Sequence, residues 1–424
     1  MKTAEIVRVT LGNGLRVVVA EERSAPIAGV AVHYDVGFRA ETEDRSGLAH
    51  LFEHLMFQGE AGSELDHFQQ VESIGGFCNA STRQDYTDFY NVVPAEAAAQ
   101  VIALEAARMR APKITERAIL AQTSVVREEI LGKIRKPYGG FPWPRLSPVL
   151  FRDFANAHDG YGDYTALQQV TLQDCEDFFD RHYSPANAVV TVAGDVEADA
   201  VLEVIGRTFG EIPPRPAPTL TSRWEPEPTG RPEAGYTDAL APLPAFAIGH
   251  RVPDPATDPR AHFALAALAD VLAGGSQPRL RERLRRETGH TIIFSTRVGL
   301  FDFLDARDPD MWILTAVHPK ELPAEQVLAA VDAELEAIGA LGPTDEEVPR
   351  WRTRWVNSHH RSMDQLANRV RMIGRFELLF GDPGRVARLP ELCAEVTAAD
   401  VAAAARGLRP DSRALLRAVP EEGR

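Results

Sequence analysis

Cysteine is scarce in this sequence. Cys78, Cys175 and Cys393 are the only three, they lie far apart, and no CxxC pair occurs. This argues against a disulfide framework and a cysteine-rich zinc site. Long apolar runs are missing too. No stretch reaches the roughly 18 apolar residues of a membrane span, and the start MKTAEIVRVTLGNG has no hydrophobic segment. These absences read as a cytoplasmic chain with no signal peptide, no transmembrane helix and no membrane partner. Basic residues are in deficit, 46 Lys and Arg against 61 Asp and Glu, for a formal net charge of −15. That argues against nucleic acid as a partner, because phosphate binding needs clustered Lys and Arg.

What is present is a soluble globular composition, 44% hydrophobic and 25% charged over 424 residues. The length suits two or three domains of about 150–200 residues each. IVRVTL and LRVVVAEE flank the turn GNG and read as a β-hairpin. IAGVAVHYDVG reads as a buried strand, and FCNASTRQDYTDFYNVVP is strand-like. Leu48, Leu51, Phe52 and Leu55 recur at helical spacing, with Ser46 as the expected N-cap. PAEAAAQVIALEAARM and ITERAILAQTSVVREEILGKI are helical, and ANAVVTVAGDV is a strand before a further helix. The proline-rich stretch 216–232 is the expected linker. It separates a domain over residues 1–215 from one over 233–424. The second part repeats the coarse order of the first: the strand FAIGHRV, a helix from Ala261 to Gly274, the strand MWILTAVHP and a further helix. This echo predicts a duplicated α+β unit, and the second copy lacks the chemistry-bearing residues of the first.

Those residues are His50-Leu51-Phe52-Glu53-His54. On a helix His50 and His54 are one turn apart on the same face, so both imidazoles reach one metal ion. Glu53 sits beside them, placed to take a proton from a water at the metal. H-x-x-E-H is the reverse of the commoner H-E-x-x-H order, with the same mechanics. The bland alternative is an exposed helix face with two histidines and a salt-bridging glutamate. A catalytic zinc wants three protein ligands and one open position. VVREEI offers Glu128 and Glu129 on another helix, and neighbours there point about 100° apart, so only one of them faces the metal. Val125, Val126 and Ile130 mark the expected buried side. Glu129 shares it and Glu128 points further round, towards solvent.

With these residues in hand, the chain resembles the pitrilysin and mitochondrial processing peptidase family of inverted-zincin peptidases, in its short bacterial two-domain form. The resemblance rests on LGNGLRVVVAEE, VGFRAETEDRSGLAHLFEHLMFQG, GGFCNASTRQDYTDFY, QTSVVREEI and HYSPANAVVTVAGDV. GGSQPRLRERLRRE in the second half matches more weakly. The resemblance implies two homologous α+β domains, each a mostly antiparallel sheet packed with helices, together forming half of a clam-shell chamber. It implies a zinc endopeptidase acting on peptides or unfolded leader segments. One Zn2+ per chain would be held by His50, His54 and Glu129, with Glu53 as the base. Asn79, Ala80 and Thr82 match the edge strand that takes substrate by β-augmentation. Gln122 stands where larger relatives carry a glutamate behind the distal ligand.

One departure concerns tyrosine. Single-chain relatives bring an Arg and a Tyr from a later domain to the substrate carbonyl, yet the eight tyrosines here all lie at or before Tyr236. The expected partner is therefore a second chain of the same fold, in a homodimer or in a heterodimer with a paralogue. The competing reading from another class is a non-catalytic or scaffold subunit of a peptidase heterodimer. Such chains usually lose the signature that is intact here.

Overall fold

A computed structural model describes residues 6–59, 63–275 and 277–421. Ser276, within the weaker family segment, lies outside the described residues. Two compact units emerge. The first comprises Met1–Glu128, Gly160–Thr221 and His359–Arg388; the second comprises Glu129–Asp159, Ser222–Ser358 and Leu389–Arg424.

The first unit is built on six strands: β1 (Ile6–Thr10), β2 (Arg16–Glu21), β3 (Ile27–Tyr34), β4 (Phe77–Thr82), β5 (Thr87–Pro94) and β6 (Ala188–Gly194). Their order in the sheet is β1-β2-β6-β3-β5-β4. Only β2 and β6 run parallel; the other pairs are antiparallel. The strand-like run from Phe77 resolves into the hairpin β4–β5, closed by the Arg83 N–H donating to the Tyr86 carbonyl at 2.8 Å. β3 is apolar nearly throughout because both its faces are covered. The helix Ala98–Arg110 and the helix Leu366–Phe380 both pack on it. Gly29 lets the second helix close in, since a Cβ there would meet Val370 at 3.1 Å and Leu366 at 3.2 Å.

The second unit holds β7 (Glu233–Asp238), β8 (Ala245–Arg251), β9 (Ile293–Val298), β10 (Met311–Val317) and β11 (Ala414–Pro420). Their order is β7-β11-β8-β10-β9, with only β7 and β11 parallel. Strand for strand this repeats β2-β6-β3-β5-β4, so the fold is α+β with two domains of like topology. The segment 216–232 carries no regular secondary structure.

Neither unit is one stretch of chain. A cut within 216–232 separates the strands of the two sheets but not all their helices. The helix Leu366–Phe380, from the second half of the sequence, packs on β2, β3, β5 and β6. The helix Trp143–Leu150, from the first half, packs on β8 and β11. Amphipathic periodicity says that a helix has a face to bury, not which sheet receives it.

Candidate metal centre

The helix Leu48–Leu55 follows β3 after two short turns and buries Leu48, Leu51, Phe52 and Leu55. Phe52 stacks obliquely on Phe178 and Tyr183, with ring centroids 4.9 and 5.1 Å away. That apolar anchoring turns His50 and His54 to a common face, their ring centroids 5.0 Å apart and their planes at 84°.

The start of this helix corrects one expectation. Ser46 is not the N-cap; Gly47 is, with φ 91° and no side-chain cap of its own. The cap comes from Glu41, whose buried carboxylate accepts the Gly47 and Ala49 N–H groups at 2.8 Å each. A carboxylate at a helix N-terminus satisfies otherwise unpaired donors and complements the dipole. A side chain at position 47 would be strained by its φ and crowded, with the Tyr161 carbonyl 2.9 Å from a Cβ. Glu41 lies outside the three-residue spacing of a capping box, so local sequence offered no cue to it.

The distal acid sits on the helix Glu116–Ile134. The boundary of the two units falls inside this continuous helix, between Glu128 and Glu129. Its buried stripe is Ile119, Thr123, Val126 and Ile130. Val125, expected on that side, is 48% exposed. It falls about 100° before Val126, which places it outside the stripe. Glu129 stays with Val126 and Ile130, its side chain 34% exposed, whereas that of Glu128 is 71% exposed. Lys133 pairs with Glu129 at 2.5 Å, one turn on.

One ligand atom from each of His50, His54 and Glu129 comes together in a group whose members lie within 4.8 Å of one another. It is the one such group found among the described residues. Two imidazoles and a carboxylate are the donor types zinc takes, and three protein ligands leave a position open for chemistry. The residues present therefore fit a catalytic zinc.

Glu53 is half-buried on the same helix. Its Oε2 accepts a hydrogen bond from the Thr82 hydroxyl at 2.7 Å. Oε1 has no hydrogen-bond partner among the described residues. Burial pushes the Glu53 carboxyl above its ordinary range; the Thr82 hydrogen bond and His54 oppose the push, and Asp88 adds to it. Asp88 is fully buried on β5. Burial alone would raise its pKa, but the Arg371 guanidinium holds the carboxyl below the usual range. Arg371 belongs to the helix Leu366–Phe380 and also donates to the Ser81 hydroxyl at 3.0 Å.

Three of the remaining candidates, Asn79, Ala80 and Thr82, lie on an edge strand of the sheet. β4 is the terminal strand on that side. Asn79 is exposed on it, and its Oδ1 accepts the Ala80 N–H at 2.8 Å. Ala80 is buried, facing the same side as Thr82. The family resemblance assigns Thr82 to substrate, while the structure gives its hydroxyl to Glu53. Gln122 is half-buried and its side chain forms no hydrogen bond among the described residues. Glu41, Asp88 and Arg371 escaped the sequence reading because each acts across distances in sequence that no periodic pattern spans.

Comparison with known proteins agrees with this fold. Residues 16–134 match the family described as Insulinase (Peptidase family M16). Residues 169–354 match the Peptidase M16 inactive domain, and the two spans together cover most of the chain. The chain is 26% identical over 421 residues to an uncharacterized zinc protease of Streptomyces coelicolor, covering 95% of this chain and 88% of that protein. It is 30% identical over 281 residues to zinc protease PqqE of Helicobacter pylori, covering 65% of this chain and 63% of that protein. Its fold matches the crystal structure of a protease from Helicobacter pylori with a TM-score of 0.87, at 23% identity, over 99% of this chain and 100% of that one. Topology and donor set thus define a chain of the H-x-x-E-H metallopeptidase class. It belongs to peptidase family M16, the insulinase family.

Proposed function

We propose that this chain is a zinc-dependent endopeptidase that hydrolyses peptides or unfolded segments such as leader sequences. One observation carries the reading: a convergent His50–His54–Glu129 donor set with Glu53 on the same short helix. His50, His54 and Glu129 would hold one zinc ion per chain. A zinc ion there supplies a Lewis acid for the scissile carbonyl and lowers the pKa of water. Glu53 takes the proton of the attacking water and delivers it to the leaving amine. An extended peptide adds to the free edge of β4, where Asn79 and Ala80 meet its backbone. The partner is a second chain of the same fold, identical or paralogous, which completes the contacts to the substrate carbonyl that a chain with no tyrosine after Tyr236 cannot make.

The match of residues 169–354 to an inactive domain favours a second reading, a non-catalytic subunit. That span contains none of His50, Glu53, His54 and Glu129, so it leaves the site intact.

Elemental analysis beside a quenched-peptide assay tests the proposal. Wild type and Glu53→Gln should each hold about one zinc, and the variant should lose hydrolysis by about 10²–10⁴-fold. Full activity in Glu53→Gln, or a wild type that binds zinc and cleaves nothing with any partner chain, overturns it.

A further inference from the structure

Glu53 is anchored at one point. Its Oε2 rests on the Thr82 hydroxyl, and no other hydrogen bond holds the carboxylate among the described residues. Proton accounting gives that contact a direction. The neighbouring Thr87 hydroxyl donates to the Val36 carbonyl at 2.9 Å, so its single proton is spent there. The Thr82 proton is left for Glu53, in a hydrogen bond to a carboxylate, the stronger kind. Thr82 is itself held in place. It ends β4 beside Ser81, and Ser81 lies opposite Asp88 in register. Arg371 bridges that pair, donating to Ser81 Oγ and to both Asp88 oxygens. The strand end carrying Thr82 is thus clamped from the face opposite the metal centre.

We propose that Thr82 is the positioning residue of the base: its hydroxyl fixes the Glu53 carboxylate by one oxygen and leaves Oε1 for the attacking water. The proposal rests on the peptidase reading above. It makes Thr82 part of the apparatus that aims the base rather than a substrate contact. A base displaced by about 1 Å loses on the order of 10²-fold in rate, because proton transfer depends steeply on distance and direction.

Thr82→Val keeps the shape and branching of the side chain and removes the hydroxyl; Thr82→Ser keeps the hydroxyl. Thr82→Val should retain zinc and a KM within about twofold of wild type, while kcat falls about 10–100-fold. Thr82→Ser should recover most of that loss. Crystal structures of the two variants add a readout independent of activity. The Glu53 carboxylate should leave its position in Thr82→Val and keep it in Thr82→Ser. An unchanged kcat in Thr82→Val overturns the proposal. So does a rise in KM at constant kcat, which marks a substrate contact, or an equal loss in Thr82→Ser, which marks methyl packing. A wild type that cleaves nothing, or an active Glu53→Gln, sinks the peptidase reading instead. The crystallographic comparison then still decides whether Thr82 holds Glu53.

Discussion

Arg371 closes a two-point ion pair on Asp88 across 283 residues of sequence, Nε and Nη2 each meeting one carboxylate oxygen. The same guanidinium lies 4.4 Å from the ring centroid of Tyr90. A fully buried aspartate on a sheet is tolerable only with such a partner, since an unpaired buried carboxylate is far costlier than the pair.

Arg371→Leu should therefore destabilise the chain by about 3 kcal/mol, because Asp88 stays buried without compensation. Adding Asp88→Leu should cost less than the two single changes together. Urea unfolding of the three variants checks this, and strict additivity would mean that the pair is uncoupled.

Glu41 caps the helix that carries both histidines. Glu41→Ala leaves the Gly47 and Ala49 N–H groups buried without an acceptor, at a cost of about 1–3 kcal/mol. Zinc affinity should fall with it, since the first turn of the helix holds His50. Chelator competition and thermal unfolding measure the two effects; normal affinity would show that the turn does not need the cap.

The adjacent acids should separate cleanly. Glu129→Gln, like His50→Ala or His54→Ala, should weaken zinc binding more than about tenfold, and Glu128→Gln should leave it unchanged. The motive is the difference in exposure and the donor grouping. Loss of zinc in Glu128→Gln alone would exchange the two roles.

Buried histidines contribute to the acid limit of stability. Burial lowers the His33 pKa to about 4; Asp88 opposes the shift, and Arg371 and Arg375 reinforce it. Burial likewise lowers His182 and His359 to about 4 and His250 to about 3. Below pH about 6.5 the unfolded chain protonates these rings while the folded chain does not. The contribution of these rings to stability should thus be level above pH 6.5 and decline as pH falls towards 4. Urea midpoints of the metal-free chain test this without the zinc loss that acid would cause. A midpoint unchanged between pH 7 and 5 would refute it.

Pairing is the last expectation. With no tyrosine after Tyr236, the chain should either self-associate or show little hydrolysis until a paralogous chain is added. Light scattering over a concentration series, run beside the peptide assay, examines both. A strictly monomeric chain with full activity would refute pairing.

The relation of His50, Glu53 and His54 was legible in five residues, because the helical period alone puts positions four apart on one face. The strands β2, β3, β6, β8 and β10 were legible as well, because a strand covered on both faces must be apolar along its length. The choice of Glu129 over Glu128 was legible only in part: Val126 and Ile130 pointed to it, while Val125 turned out exposed. Other relations belonged to the tertiary structure alone. Glu41 reaches the start of the histidine helix from outside any capping pattern. Thr82 meets Glu53 because a sheet edge and a helix converge. Arg371 meets Asp88 because the helix Leu366–Phe380 packs on the first sheet rather than the second. Sequence periodicity reports that a face is to be buried; which partner buries it depends on how sheets and helices fit in three dimensions, and that is where the base acquires its anchor.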